Sequence, residues 1–432
     1  MAKTLSAPAT LALDGGPKAV TAPIDDRWER VTDLEKEYVL RVMDNFGDAY
    51  AELDLFEREW REFIGTKHAL AMCNGTATLH SAIFAAGAHA GKEVIVPSVT
   101  WHASISPILH CGATPVFCDA DPETFCADPD DVRRKITDRT CAIVVTHVYG
   151  NPADLDAFRE IVDGTDIVLI EDASHAHGAT WDGKPVGSFG HIGCFSLQKG
   201  KAMTGIEAGV AVTDDDALYD RMLALGQYGR CGKLWSTAEF ADLRNMGFGV
   251  KYRANPLAIG MVRAQFRRLP EMNERRRAWF DRLDSLLSAI PGVNPQKVYP
   301  KAIRGGLVHY AGTLDTEAIG VPANSILRAL VAEGVQTKSE ITPFGYGVMH
   351  LEPLFNDYAL NSVGGPWKDL PSDSRVRRQR GHLPASERIH GSAFWIKTPV
   401  DPNPEWVEQV GAAFRKVIAN AGRLAELATA GA

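Results

Sequence analysis

Between His68 and Thr213 the chain alternates short apolar runs with stretches of helical periodicity, and few folds accommodate that order. The runs are His68–Met72, Val94–Pro97, Pro115–Cys118, Ala142–Thr146, Ile167–Ile170, Ile192–Ser196 and Gly209–Thr213. They are short, continuous and rich in Val and Ile, as strands covered on both faces must be. Between them, Leu79, Ala82, Ile83 and Ala86 make the clearest i, i+3, i+4, i+7 helical face. The alternation predicts an α/β fold, with a three-layer α/β/α large domain built on a mostly parallel sheet. A long charged helical pattern over Ala258–Leu287 reads as a connecting helix that stops before Pro291-Gly292. A smaller α+β C-terminal domain follows. The predicted organisation is an extended or loosely docked segment over 1–30, a large domain over 31–290 and a small domain over 291–432. Within the last, Tyr358–Arg380 reads as an irregular excursion. Pro404–Leu427 reads as one helix with Val407, Val410, Ala413 and Phe414 on a single face.

Composition excludes several classes. Apolar residues make up 45% and charged residues 23%, enough to bury a sizeable core. The formal net charge of −8 argues against nucleic acid or an acidic membrane surface as partner. The basic runs Arg275-Arg276-Arg277 and Arg375–Arg380 read as solvated faces. No run is long enough to span a bilayer, and Met1–Thr10 lacks the apolar stretch of a signal peptide. Seven cysteines without a C-x-x-C pair argue against a disulfide framework and for a reducing cytoplasm.

Ligands of open α/β sheets bind outside the carboxyl ends of the strands, so the residues just after each run carry the functional signal. After the first run comes Cys73-Asn74-Gly75-Thr76-Ala77, opening the clear helix. Such a start offers N–H groups to a phosphate, or is simply a capped helix. Trp101 follows the second run, as a core aromatic or a platform for a flat ring. The fifth run ends in Glu171-Asp172, and a buried acid needs a partner. A cationic ring nitrogen, a salt bridge or a helix cap would each serve. His175, His177 and His191 lack the i, i+4 spacing of a zinc helix, so no metal site is expected. After the sixth run comes Ser196-Leu197-Gln198-Lys199-Gly200-Lys201. Either lysine is a surface residue or a Schiff-base lysine made nucleophilic by desolvation. In their joint order these features form the set that pyridoxal 5′-phosphate requires: phosphate cup, ring stack, carboxylate for the pyridine nitrogen, and lysine for the aldehyde.

The sequence resembles the DegT/StrS family of sugar and cyclitol aminotransferases, which have the aspartate aminotransferase-like fold. The resemblance spans about Asp33 to Leu427. It rests on Asn74-Gly75-Thr76-Ala77, Val94-Ile95-Val96-Pro97-Ser98-Val99-Thr100-Trp101, Thr114-Pro115-Val116-Phe117-Cys118-Asp119, Ile170-Glu171-Asp172, Phe195-Ser196 with Lys201, and Leu383-Pro384-Ala385-Ser386-Glu387-Arg388. It implies that Gly75, Thr76, Ala77 and Ser196 bind the cofactor phosphate and that Trp101 stacks on the pyridine. Asp172 would pair with the ring nitrogen. His175 stands where the family usually has Gln near the phenolic oxygen. The family spacing from Ser196 selects Lys201 over Lys199 as the Schiff-base lysine. Lys251 replaces an Asn that reaches across a homodimer interface to the neighbour's phosphate, and an ammonium can serve there. Tyr346 and His350 match a substrate-side element of the small domain. Ile206 and Ala208 replace two glycines, and a β-branched residue disfavours positive φ. The loop there is therefore expected to depart from the family's path.

The implied activity is transfer of an amino group from glutamine or glutamate to a keto-cyclitol or keto-sugar in aminoglycoside-type biosynthesis. A nucleotide-linked keto-hexose, or chemistry like that of aminohydroxybenzoate synthase, is the alternative. A non-catalytic sensor that retains the cofactor is a further one, since fold does not fix function. Some relatives are dehydratases with His in place of the lysine, which Lys201 argues against. No G-x-G-x-x-G follows a strand and no G-x-S-x-G occurs, against nicotinamide and serine-hydrolase chemistry.

Overall fold

Seven strands form the centre of the fold, and each coincides with one of the apolar runs. They are β1 (His68–Met72), β2 (Glu93–Pro97), β3 (Thr114–Cys118), β4 (Thr140–Thr146), β5 (Val168–Asp172), β6 (Ile192–Ser196) and β7 (Gly209–Thr213). The structure is a computed structural model and describes residues 9–337, 348–356 and 378–430. The strands make one sheet in the order β1-β7-β6-β5-β4-β2-β3. Pairings from β6 to β3 are parallel, and β7 alone runs antiparallel, to both β1 and β6. The carboxyl ends of β1, β2, β4, β5 and β6 therefore share one edge. All residues of β2, β4, β6 and β7 are buried, which is why these runs are apolar without alternation.

Helices start where the sequence supplies caps. Thr32 and Glu35 form a reciprocal capping box at α1 (Asp33–Asp44). The helix α2 (Ala51–Ile64) buries Phe56 and Trp60 against the sheet, and ends at Gly65 in the left-handed region. Asn74 caps α3 (Gly75–Ala85) through its Oδ1, which accepts from the Ala77 amide at 2.8 Å. Asn255 caps the long helix Pro256–Leu287, with Pro256 in the first turn. Arg263 on that helix ties it to α2, donating to Glu52 at 2.6 Å and to Glu59 at 2.8 Å.

A second, antiparallel sheet follows: β8 (Val293–Pro295), β9 (Tyr310–Leu314) and β10 (Ala393–Ile396), in that order. Trp279, Phe280, Tyr310, Phe394, Trp406 and Phe414 fill its core. The C-terminal helical pattern divides into Pro404–Ala419 and Ala421–Ala430, rather than running unbroken to Leu427. Asn420 breaks it, its side chain donating to Lys416 O and Ala9 O. The turn sends Leu424 into the same core as Leu11.

The described start of the chain is firmly docked. The buried Glu333 carboxylate accepts from the Ala12 amide at 2.8 Å and the Ala19 amide at 2.9 Å, and pairs with Lys416 at 2.8 Å. The sequence held no local sign of this, because the partners lie more than 300 residues apart. Glu333→Ala leaves two amides without their acceptor and Lys416 without its counter-ion, and should lower unfolding stability by about 3 kcal/mol in denaturant titration. A change below about 0.5 kcal/mol would mean that the segment is held by its apolar contacts alone.

Candidate active site

The shared edge of strand ends opens into a cavity of about 740 Å³. Gly75, Thr76, Trp101, Asp172, His175, Ser196 and Lys201 all line it. These residues come from four separate strand ends, and the parallel register brings them together.

The floor is the start of α3 against the end of β6. Gly75 approaches Ser196 so closely that a Cβ on Gly75 would stand 2.5 Å from Ser196 Cβ. Only glycine fits, and the contact sets the Ser196 hydroxyl beside the first turn of α3. Thr76 is exposed at the helix start, facing the cavity. Ala77 is the exception among the residues read as phosphate ligands. It does not line the cavity, and the Asn74 side chain occupies its amide.

Asp172 ends β5 and is buried. Its Oδ2 accepts from Ser104 Oγ at 2.6 Å and its Oδ1 from the Ser174 amide at 3.1 Å. Ser104 meets Thr100 at 2.8 Å, and Thr100 meets Thr146 at 2.9 Å. Each hydroxyl has one proton. Ser104 spends its own on the carboxylate, so Thr100 donates to Ser104 and Thr146 donates to Thr100. The chain of hydroxyl dipoles thus points its positive ends at Asp172, each bond strengthening the next. Ser104 was missed in the sequence, where a Ser in a short helical turn carries no signal of its own.

His175 lies flat against Tyr149, with ring centroids 6.1 Å apart and planes 2° from parallel. Its Nδ1 accepts from the Tyr149 amide at 3.3 Å, which puts the proton of the neutral ring on Nε2. Burial, with help from Lys201 and two neighbouring histidines, holds its pKa well below the usual imidazole value. Tyr149 itself has φ +58°, an uncommon conformation for a bulky residue. The other two histidines are elsewhere: His177 packs against Trp60 and Phe195, and His191 accepts from the Leu169 amide.

Lys201 reaches the cavity from a tight loop closed by its own amide on Gln198 O at 2.8 Å. Burial lowers the pKa of its amine to about 8, against a smaller upward pull from Asp172. Lys199 is exposed and lines a neighbouring chamber, not this cavity. Geometry therefore separates the two lysines that local sequence could not.

The loop beyond them is held by its own hydrogen bonds. Ile206 adopts φ +71°, the left-handed region that a glycine would occupy. Thr204 Oγ1 holds it, accepting from the Ile206 amide at 2.8 Å while donating to Leu197 O at 3.0 Å. Ala208 is buried and receives the Leu197 amide at 2.8 Å.

Two other expected residues lie off this cavity. Lys251 is exposed, with its ammonium 5.6 Å from the Tyr228 ring centre. His350 is fully buried, its ring bonded to Ser98 at 2.8 Å and Glu387 at 3.2 Å. Those bonds make it a tie between the strand-β2 end and the helix Pro384–Ser392, not a wall of the cavity. Tyr346 lies outside the described residues, as does most of the Tyr358–Arg380 excursion. Conversely, Arg30, His309, Trp395 and Lys397 line the cavity from the chain start and the second sheet. Their distance in sequence from the strand ends hid them.

The profile of the DegT/DnrJ/EryC1/StrS aminotransferase family matches residues 30–365. The chain belongs to this family. The L-glutamine:2-deoxy-scyllo-inosose aminotransferase of Streptomyces kanamyceticus is 36% identical over 341 residues, covering 76% of this chain and 79% of that one. The L-glutamine:scyllo-inosose aminotransferase of Streptomyces griseus is 32% identical over 428 residues, covering 95% and 98%. Among solved structures, 3-amino-5-hydroxybenzoic acid synthase superposes with a TM-score of 0.73 at 29% identity, covering 92% of this chain and 98% of that one.

Because the Lys201 amine lies near 8, its neutral fraction rises as pH climbs through that value. Reductive methylation of Lys201, followed by peptide mass spectrometry, should accelerate with a midpoint near pH 8. Asp172→Asn removes an attraction that favours the ammonium, so the midpoint should fall. An unchanged midpoint would separate the two groups electrostatically.

Proposed function

We propose that the cavity binds pyridoxal 5′-phosphate and that the protein moves an amino group from glutamine to a keto-cyclitol. The observation that carries this reading is Lys201 and Asp172 meeting in one cavity, the amine depressed to about 8 by burial. The residues fit the cofactor. The Gly75–Ser196 approach leaves a cradle without side-chain bulk, with the positive end of α3 and two hydroxyls for a phosphate. Bound there, the cofactor would supply an electron sink for the carbanion formed at the donor's α-carbon.

Each residue then has a task. Lys201, its pKa lowered to about 8 by burial, would hold the cofactor through its aldehyde. With the cofactor bound, the Lys201 amine would be placed to move the proton taken from the donor's α-carbon. Asp172, held in place by the hydroxyl chain, would face the pyridine nitrogen. His175, donor at Nε2, would serve the phenolic oxygen. Trp101 offers a flat apolar face. Gly75, Thr76 and Ser196 take the phosphate. Lys251, away from its own cavity and exposed, suits the same phosphate in a neighbouring copy, so the reading includes a homodimer. Seven free thiols suit a cytoplasmic setting.

The donor and acceptor come from the names of the relatives, which pair L-glutamine with scyllo-inosose and 2-deoxy-scyllo-inosose. Glutamate remains the alternative donor. The acceptor is tested by offering keto-cyclitols and nucleotide-linked keto-hexoses to the enzyme after glutamine has converted the cofactor to its amine form. Recovery of the aldehyde spectrum with the cyclitols alone is expected, and recovery with the nucleotide sugars alone would overturn the assignment. Failure of glutamine and glutamate to change the spectrum would favour a sensor. Lys201→Ala should cut turnover by roughly a thousandfold and remove the lysine-bound absorbance band, while Lys199→Ala keeps it.

A further inference from the structure

Behind Lys201 lies a second chamber of about 310 Å³, large enough for an amino-acid-sized ligand. It shares Lys201 and Arg30 as walls with the main cavity. Its lining also includes Lys199, Arg268 and Arg276, and among the described residues no acid lines it. Arg276 decides what the chamber is for. It sits inside the long helix Pro256–Leu287 and is 3% exposed. One terminal nitrogen donates to Gly306 O at 2.8 Å, and its Nε has no partner among the described residues. A buried guanidinium is ordinarily matched by a carboxylate, because leaving one unpaired is costly. Here the nearby acid, Asp26, is engaged by the amides of Val400 and Asp401 and makes no ion pair with Arg276 among the described residues. Arg30 faces Arg276 with like charge, and burial together with that repulsion lowers the Arg276 pKa to about 9. Arg268, by contrast, is already matched by Glu35 at 2.8 Å. The chamber therefore holds unmatched positive charge on its inner wall and at the mouth it shares with Lys201.

We propose that this chamber is a carboxylate subsite, in which Arg30 and Arg276 hold the carboxylate of the amino donor while its amine faces Lys201. Ile206, in its strained conformation, forms part of the chamber wall. The inference rests on the aminotransferase reading for the identity of the donor. It explains how one cavity can accept first an amino acid and then a neutral polyol ketone. The anion goes to the side chamber and leaves the main cavity to the acceptor.

The test uses the full-length holoenzyme and glutaramate, which is glutamine without its amine and so cannot react with the cofactor. Calorimetric titration should detect binding to the wild type. The dissociation constant should rise by about tenfold to a hundredfold in Arg276→Gln and in Arg30→Gln, as expected for losing a charge-assisted hydrogen bond. In the donor half-reaction, the preference for glutamine over glutaminol, which lacks the carboxylate, should collapse in the same variants. Arg276→Gln also loses the bond to Gly306 O, so its melting temperature is measured alongside. Should it fail to fold, the exposed Arg30 decides the matter. Equal binding of glutaramate by wild type and both variants, or none by the wild type, would overturn the subsite. Tighter binding of uridine diphosphate than of glutaramate, lost in the same variants, would give the chamber to a nucleotide-linked acceptor and also overturn it. Absence of any spectral change with glutamine in the wild type would instead count against the aminotransferase reading, and leaves the titration interpretable.

Discussion

A negative charge at the end of a buried strand is the constraint around which this site is organised. Asp172 is buried there and needs hydrogen-bond donors, because low-dielectric surroundings penalise an uncompensated carboxylate. The fold supplies them from three strand ends at once: Ser104 and Thr100 after β2, Thr146 at the end of β4, and the Ser174 amide after β5 itself. Parallel pairing of β2, β4 and β5 is what brings these groups within 2.6–3.1 Å of their partners. A slip of one residue in any of the three would turn the donors to the other face of the sheet. Lys201 then completes the balance from the loop after β6.

The same sheet separates two kinds of legibility. Strands covered on both faces must be continuously apolar, so all seven could be read, and with them Asp172, Ser196 and a pair of lysines at their ends, between which only the family spacing chose Lys201. Position left Thr76 and Trp101 open between a structural and a binding role, and both line the cavity. What could not be read depends on contacts between distant segments. Arg30, His309 and Lys397 enter the cavity from outside the sheet, and nothing local marks them. His350 looked like a substrate-side residue from its resemblance alone, but its ring is consumed by Ser98 and Glu387. Ala77 looked like a phosphate ligand, but the cap that starts its helix uses its amide. The basic run Arg275–Arg277 looked like a solvated face, yet its middle member is buried, because the helix turns consecutive side chains in different directions.

Ile206 shows the reverse case, in which a local rule gives way. A β-branched residue at φ +71° carries backbone strain of order 1–3 kcal/mol, and surrounding structure must over-determine it. The ladder of Leu197, Thr204 and Ala208 does so. The loop after Lys201 therefore holds its lysine in place through backbone bonds, while its side chain at 206 is spent on the wall of the charged chamber.

The account stands or falls on which nitrogen is moved. Glutamine labelled with nitrogen-15 at the α-amine, offered with scyllo-inosose, should give an aminocyclitol one mass unit heavier. Glutamine labelled at the side-chain amide should give the unlabelled product. Label arriving from the side-chain amide, or an aminated product formed without label from either position, would contradict amine transfer through Lys201 and Asp172.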